Sequence, residues 1–206
     1  MRAAAVSIAL CAFFLTAVVS AGPEAGNPRV LMRTGNPRVL MRTGVGDIIV
    51  EIDVLHAPIT AANFLAYVDR GLFDGASFYR VVRPDNQPGS PVEIEVIQGG
   101  LGFAEETKAL APISHETTDK TGIHHKDGTI SMARGKPGSA ASEFFICIND
   151  QPELDFMGQR NPDGRGFAAF GRVVQGMDVV RSIQRRRDRG QMLIEPVTIL
   201  SVTRIN

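Results

Sequence analysis

The chain has 206 residues, 44% apolar and 21% charged, close to the averages for water-soluble folded proteins and enough for one domain with a single core. Its 22 basic and 22 acidic side chains cancel to a formal net charge of zero, which excludes a general electrostatic attraction to nucleic acid or anionic membranes. With 21 Gly, 12 Pro and no Trp, the composition favours many strands and loops over a helical bundle.

Residues 1–21 read as a secretory signal peptide. Arg2 is the basic head, an apolar run of about 17 residues extends from Ala3 to Val19, and the small Ser20 and Ala21 precede Gly22-Pro23. Cleavage near Ala21 would place the protein in the periplasm or outside the cell, with no stable membrane insertion; an uncleaved anchor is the competing reading. Cleavage also removes Cys11. Cys147 is then left alone in the apolar run FFICI, where it reads as a small buried hydrophobe, and no intramolecular disulfide can form.

Residues 26–34 and 35–43 are identical copies of GNPRVLMRT. A strand position in a sheet is filled only once, and only the second copy runs on through GVGD into IIVEID, the pattern of a hairpin. Residues 22–38 are therefore expected to be a flexible leader holding the first copy, with the folded domain over residues 39–206.

Pro58 then opens PITAANFLAYVDRG, whose apolar residues fall at helical spacing before Gly71 ends it. The strand SFYRVV follows, then the loop RPDNQPGSP and the strand IEVIQGG. A long polar connection from about Leu101 to Asp127 leads to the strands TISMA and FFICI. After the loop NDQPELDFMGQRNPDGRG come the strand FAAFGRVV, a second helix over GMDVVRSIQRRRDRG with its basic end at the carboxyl terminus, and a last strand, VTILSVTRI. Two helices among many short strands, without βαβ alternation, indicate a barrel or sandwich.

Several familiar signatures are absent. GRGFAAFG lacks the spacing and the preceding strand of a dinucleotide fingerprint, and RGKPGS lacks the frame of a phosphate loop. His56, His115, His124 and His125 have no metal-type spacing with Cys or acidic partners. The feature that asks for an explanation is Arg80, which stands in the middle of a strand of β-formers with no acidic neighbour in sequence, although burying a guanidinium costs several kcal/mol unless something offsets it.

Taken together and in order, FYRVV, IQGG, GTISMARG, SEFFICI, ELD and FAAFGRVVQGMDVV resemble the cyclophilin family of peptidyl-prolyl isomerases, especially its long-loop bacterial type, over about residues 39–206. The resemblance implies a closed eight-stranded antiparallel β-barrel capped by two α-helices. It implies an isomerase for X–Pro bonds in folding or exported polypeptides, working as a monomer on proline-containing chains, with no metal, cofactor or nucleic acid. Arg80 would be catalytic, its N–H directed at the nitrogen of the X–Pro bond. Val96, Met132, Phe145, Leu154 and Phe167 would line the proline slot, Gln98, Ala133 and Arg134 would hold the peptide before it, and Phe78 and Glu143 would also bind substrate.

Four residues depart from the family pattern. Glu95 stands where most members carry Phe beside the slot, and Glu143 replaces a Gln. Glu153 replaces the Trp or Phe of the drug-binding rim, and Phe167 stands where many eukaryotic members have His. These departures leave open a catalytically weak proline-binding module or chaperone as the alternative function. A serine or cysteine hydrolase finds no nucleophile–base pair in the sequence.

Overall fold

In the computed structural model, which describes residues 35–102 and 108–205, the second copy of the repeat forms β1 (Arg38–Thr43) and turns directly into β2 (Gly46–Ile52). The signal segment and the first copy lie outside the described residues. The chain continues through α1 (Pro58–Asp69), β3 (Ser77–Val82), β4 (Val96–Gly100) and a single helical turn, α2 (Thr118–Thr121). It then forms β5 (Thr129–Met132), β6 (Phe144–Cys147), β7 (Ala168–Gln175), α3 (Met177–Gln184), β8 (Asp188–Arg189) and β9 (Met192–Ile205).

The strands pair antiparallel in the order β1-β2-β7-β5-β6-β4-β3-β9, and β9 returns to β1, so eight strands close a barrel without a free edge. β8 only adds a short hairpin to β9. Alternate residues point inward, among them Val39 and Met41 of β1, Ile48 and Val50 of β2, and Phe144 and Phe170 of β6 and β7, all without exposure. Gly171 lets β7 approach β2: a Cβ there would lie 2.3 Å from the Glu51 carbonyl.

The two longer helices cap this core. α1 buries Ala61, Phe64, Leu65 and Val68, the i, i+3, i+4, i+7 stripe that helical geometry requires. It starts at Pro58 with no local side-chain cap; instead the distant Glu116 carboxylate accepts the Ile59 and Thr60 N–H groups at 3.2 and 2.7 Å. α3 buries Val180 and Ile183 and stops at Gln184, short of the basic run expected to end it. Beyond the helix, the Asp188 carboxylate pairs with the Arg83 guanidinium, which fixes β8 beside the end of β3.

β3 carries the irregularity that makes a site. Phe78 pairs with Gly99 and Arg80 with Gln98, so Tyr79 is an extra residue on β3, a β-bulge. Strict alternation from Phe78 would send Arg80 into the core. The bulge reverses the phase: Phe78 and Val81 face the barrel interior, whereas Arg80 and Val82 face an outer cleft. The cost of burying Arg80 in the core is thereby avoided.

Because β1 is already paired along both edges, deleting residues 26–34 should leave the thermal melting temperature essentially unchanged; a large drop in a calorimetric scan would make the first copy structural.

Candidate active site

A cleft of about 260 Å³ lies on the outer face of β3, β4 and β6. Its walls are Ile94 and Val96, Phe145, Leu154 and Phe167, with Arg80, Gln98, Ala133, Arg134, Arg160 and Asn161 at its rim. Val82, Ile94, Val96, Phe145, Cys147 and Leu154 form an apolar cluster separate from the barrel core, so the slot has a floor of its own. Phe145 and Phe167 meet edge to face at 5.2 Å. Cys147 is fully buried behind them; burial pushes its thiol well up, and it serves as the small hydrophobe expected.

Arg80 is held by neutral groups. Its Nη1 donates to Gln98 Oε1 at 2.7 Å, and its Nε and Nη2 converge on Gln191 Oε1 at 3.1 and 2.6 Å. Since a guanidinium has five N–H donors, one on each terminal nitrogen remains unused. Burial, reinforced by the nearby charge of Arg160, lowers its pKa, yet a guanidinium stays protonated. Gln191 is fixed in turn: its N–H donates to Asp188 Oδ2 at 3.0 Å and its Nε2 to the Asn86 carbonyl at 3.2 Å. Burial pushes the Asp188 carboxyl up, but bonds from Arg83, Gln191 and Asn86 outweigh it and hold the group below its ordinary range.

On the other side of Gln98 the network continues. Gln98 Nε2 donates to Tyr79 Oη at 2.9 Å, and Tyr79 Oη donates to Glu143 Oε2 at 2.5 Å. Burial and the Glu143 carboxylate push the Tyr79 phenol far up, so it remains a donor. Gly100, at φ 143°, leaves the space this carboxylate occupies: a Cβ would stand 2.7 Å from Glu143 Oε2. Glu143 faces an adjoining cavity of about 460 Å³, which shares Gln98, Ala133 and Arg134 with the slot.

Arg134 is not a free cation. It pairs with Asp163 at 2.8 Å, donates to the Gly166 carbonyl through Nε, also at 2.8 Å, and lies 5.2 Å over the Phe167 ring. Its guanidinium holds Asp163 down to about 2. It therefore fastens the wall carrying Phe167. Behind Phe145, the buried His125 ring stacks at 5.9 Å and bonds Asp155 Oδ1 at 2.6 Å and Ser131 Oγ at 2.9 Å. This is a Ser–His–Asp arrangement, but Ser131 is 0% and His125 1% exposed, so no substrate reaches it.

Eight of the eleven site residues expected from sequence thus line one slot: Arg80, Val96, Gln98, Ala133, Arg134, Phe145, Leu154 and Phe167. Three do not line it. Phe78 is turned inward by the bulge, and Met132 follows Ile130 inward by the two-residue period of β5; both belong to the barrel core. Glu143 borders the adjoining cavity instead. Glu95 is directed away from the slot, to Asn149 Nδ2 at 3.0 Å and Gln184 Nε2 at 3.3 Å, and Ile94 supplies the apolar wall. That substitution was readable, because Ile94, Val96 and Gln98 share one face at spacing two. Glu153 accepts the Gln159 N–H at 2.8 Å and so braces the loop before Arg160. Gln191, Arg160 and Asn161 carried no local signal and were missed. Among the described residues, no group of three His, Cys, Asp or Glu side chains could hold a metal ion.

Residues 38–204 match the family model described as cyclophilin type peptidyl-prolyl cis-trans isomerase. The chain is 36% identical to a peptidyl-prolyl cis-trans isomerase of Streptomyces antibioticus, across 76% of this chain and 91% of that one. It is also 36% identical to peptidyl-prolyl cis-trans isomerase B of Escherichia coli, across 68% and 79%. Its fold matches the crystal structure of a cyclophilin type peptidyl-prolyl cis-trans isomerase of Cryptosporidium parvum with a TM-score of 0.67, over 83% of this chain and 98% of the other, at 20% identity. A second crystal structure of that protein, in the presence of the dipeptide Ala-Pro, gives 0.66.

The buried His125 generates a pH prediction. Burial lowers its folded pKa below the ordinary 6.5, only partly opposed by Asp155, so the unfolded chain takes up the proton first as pH falls. His115, also depressed by burial, acts with the same sign. Stability measured by urea unfolding should be fully present above 6.5 and decline as pH drops from there toward 5, with a shallower decline in His125→Asn. An identical slope in the variant would remove His125 from the effect.

Proposed function

The chain belongs to the cyclophilin family of peptidyl-prolyl cis-trans isomerases, and we propose that Arg80 is the donor through which its cleft accelerates rotation about X–Pro bonds. The supporting observation is a desolvated guanidinium, oriented by two glutamines and unneutralised, beside an apolar slot of about 260 Å³. An X–Pro bond resists rotation because the nitrogen lone pair is delocalised into the carbonyl, with a barrier of about 18–20 kcal/mol. Twisting localises that pair and makes the nitrogen a hydrogen-bond acceptor. A donor fixed there binds the twisted state more tightly than either planar state, and this difference is catalysis. The chemistry is proton-neutral, so the guanidinium has only to stay charged and aimed.

The remaining residues divide by distance from that bond. Val96, Phe145, Leu154 and Phe167, with Ile94, receive the proline ring and anchor one side of the rotating bond. Gln98 aims Arg80 and stands at the mouth of the adjoining cavity, where Ala133 and Glu143 are placed for the peptide before proline. Arg134 supports Phe167 and contributes no free charge of its own.

The clients we propose are proline-containing chains folding in an exported compartment, and the subtype is the exported, long-loop bacterial one. The signal-like residues 1–21 support the first, and the extended segment between β3 and β4 supports the second. Uncatalysed X–Pro isomerisation takes tens to hundreds of seconds, slow enough to limit folding there.

Arg80→Ala should retain the melting temperature within a few degrees while losing most isomerase activity, on the order of a hundredfold in kcat/KM, the scale of removing one transition-state donor. Unchanged turnover in a folded variant would remove Arg80 from catalysis.

A further inference from the structure

The polar rim of the slot has an imbalance of charge. Three arginines and no Asp or Glu line it. Arg134 is neutralised by Asp163. Among the described residues, neither Arg80 nor Arg160 has a carboxylate partner. The chain as a whole has a formal charge of zero, so this concentration is a local property of the cleft.

Arg160 is the informative member. It sits on the loop between Leu154 and Phe167 and is half-buried. All its side-chain bonds leave from Nη1: to Val92 O at 2.6 Å, Ser90 Oγ at 2.8 Å and Gln87 Oε1 at 3.3 Å. Bridging to that neighbouring loop needs a donor but no charge. Among the described residues Nε and Nη2 carry no hydrogen bond, and the side chain lines the cleft. Desolvating a second guanidinium next to Arg80 costs free energy that its neutral hydrogen-bond acceptors meet only in part, with no carboxylate among the described residues to complete it.

We infer that the slot selects prolines accompanied by a carboxylate, with Arg160 as its recognition residue. The inference rests on the reading of this cleft as the proline site. The carboxylate belongs to a chain that ends at the proline or to the side chain of the residue after it. The cavity shared through Gln98, Ala133 and Arg134 takes the preceding residues, whereas Ile94, Arg160 and Asn161 border the slot alone, on the side where the chain leaves the ring.

Two peptide pairs test this by NMR exchange spectroscopy, which reads both kcat/KM and Kd without a coupled protease: Ala-Ala-Pro-Glu against Ala-Ala-Pro-Gln, both amidated, and Ala-Ala-Pro as free acid against its amide. One pair should favour the anionic member by about tenfold in low salt, narrowing in 0.5 M salt, and the pair that responds identifies the source. Arg160→Gln keeps a donor and removes the charge, so it should bring the ratio close to one; Arg160→Lys should retain part of it. Each ratio is taken within one preparation, so a general loss of activity does not enter. Equal handling of both members of both pairs by the wild type, or an undiminished ratio in Arg160→Gln, would overturn the inference. Turnover of the neutral peptides reports on the proline site separately, and if turnover is absent the Kd ratio still decides the role of Arg160.

Discussion

A charged donor can serve a neutral reaction only if it is held without being neutralised, and the architecture around the cleft follows from that constraint on Arg80. A carboxylate partner would hold the guanidinium firmly but would compete with the substrate nitrogen for its N–H groups. Glutamine oxygens orient it at a smaller electrostatic cost. The carboxylates are displaced one step outward, to Asp188 behind Gln191 and to Glu143 behind Tyr79 and Gln98. The two-residue β8 is explained by this arrangement, since it exists to place Asp188 between Arg83 and Gln191. Gln191 itself adopts φ 74°, a left-handed conformation that is unfavourable for its type and is held by the bonds around it.

The second requirement is a surface that is apolar yet not part of the core. The barrel meets it through strand alternation: Phe144 and Ile146 fill the interior while Phe145 and Cys147 build the slot on the opposite face of β6. Changes in the core and changes in the cleft are therefore separable along a single strand. His125 supports the slot face from behind, stacked on Phe145 and bonded to Ser131, the residue that pairs with Phe145 across β5 and β6.

Much of this was legible in the sequence, for reasons that can be located. Helix and strand periods marked α1, α3 and the eight barrel strands, and the ordered motifs brought eight slot residues together. Phe78 and Met132 were misplaced because a motif read as a string does not show which way a strand faces. The phase depends on the bulge at Tyr79 in one case and on the register with Ile130 in the other. Glu95 stands at a motif position that most family members fill with Phe beside the slot, but the alternation of Ile94 and Val96 turns it away and puts Ile94 on the wall. Gln191 lies more than a hundred residues from Arg80 in sequence, and Arg160 lies in a loop without periodicity. Contacts of that kind are made by the closed topology and leave no local pattern.

Neutral suspension of Arg80 is the central claim, and Gln191→Glu tests it most directly because it changes one amide into a carboxylate at a site outside the slot. The measurement is kcat/KM for a neutral proline peptide as a function of pH, with the melting temperature as a check on folding. The expected result is a folded protein whose activity is about tenfold lower at neutral pH and recovers as the new carboxyl is protonated toward pH 4. Full activity at neutral pH, with no change on acidification beyond that of the wild type, would contradict it.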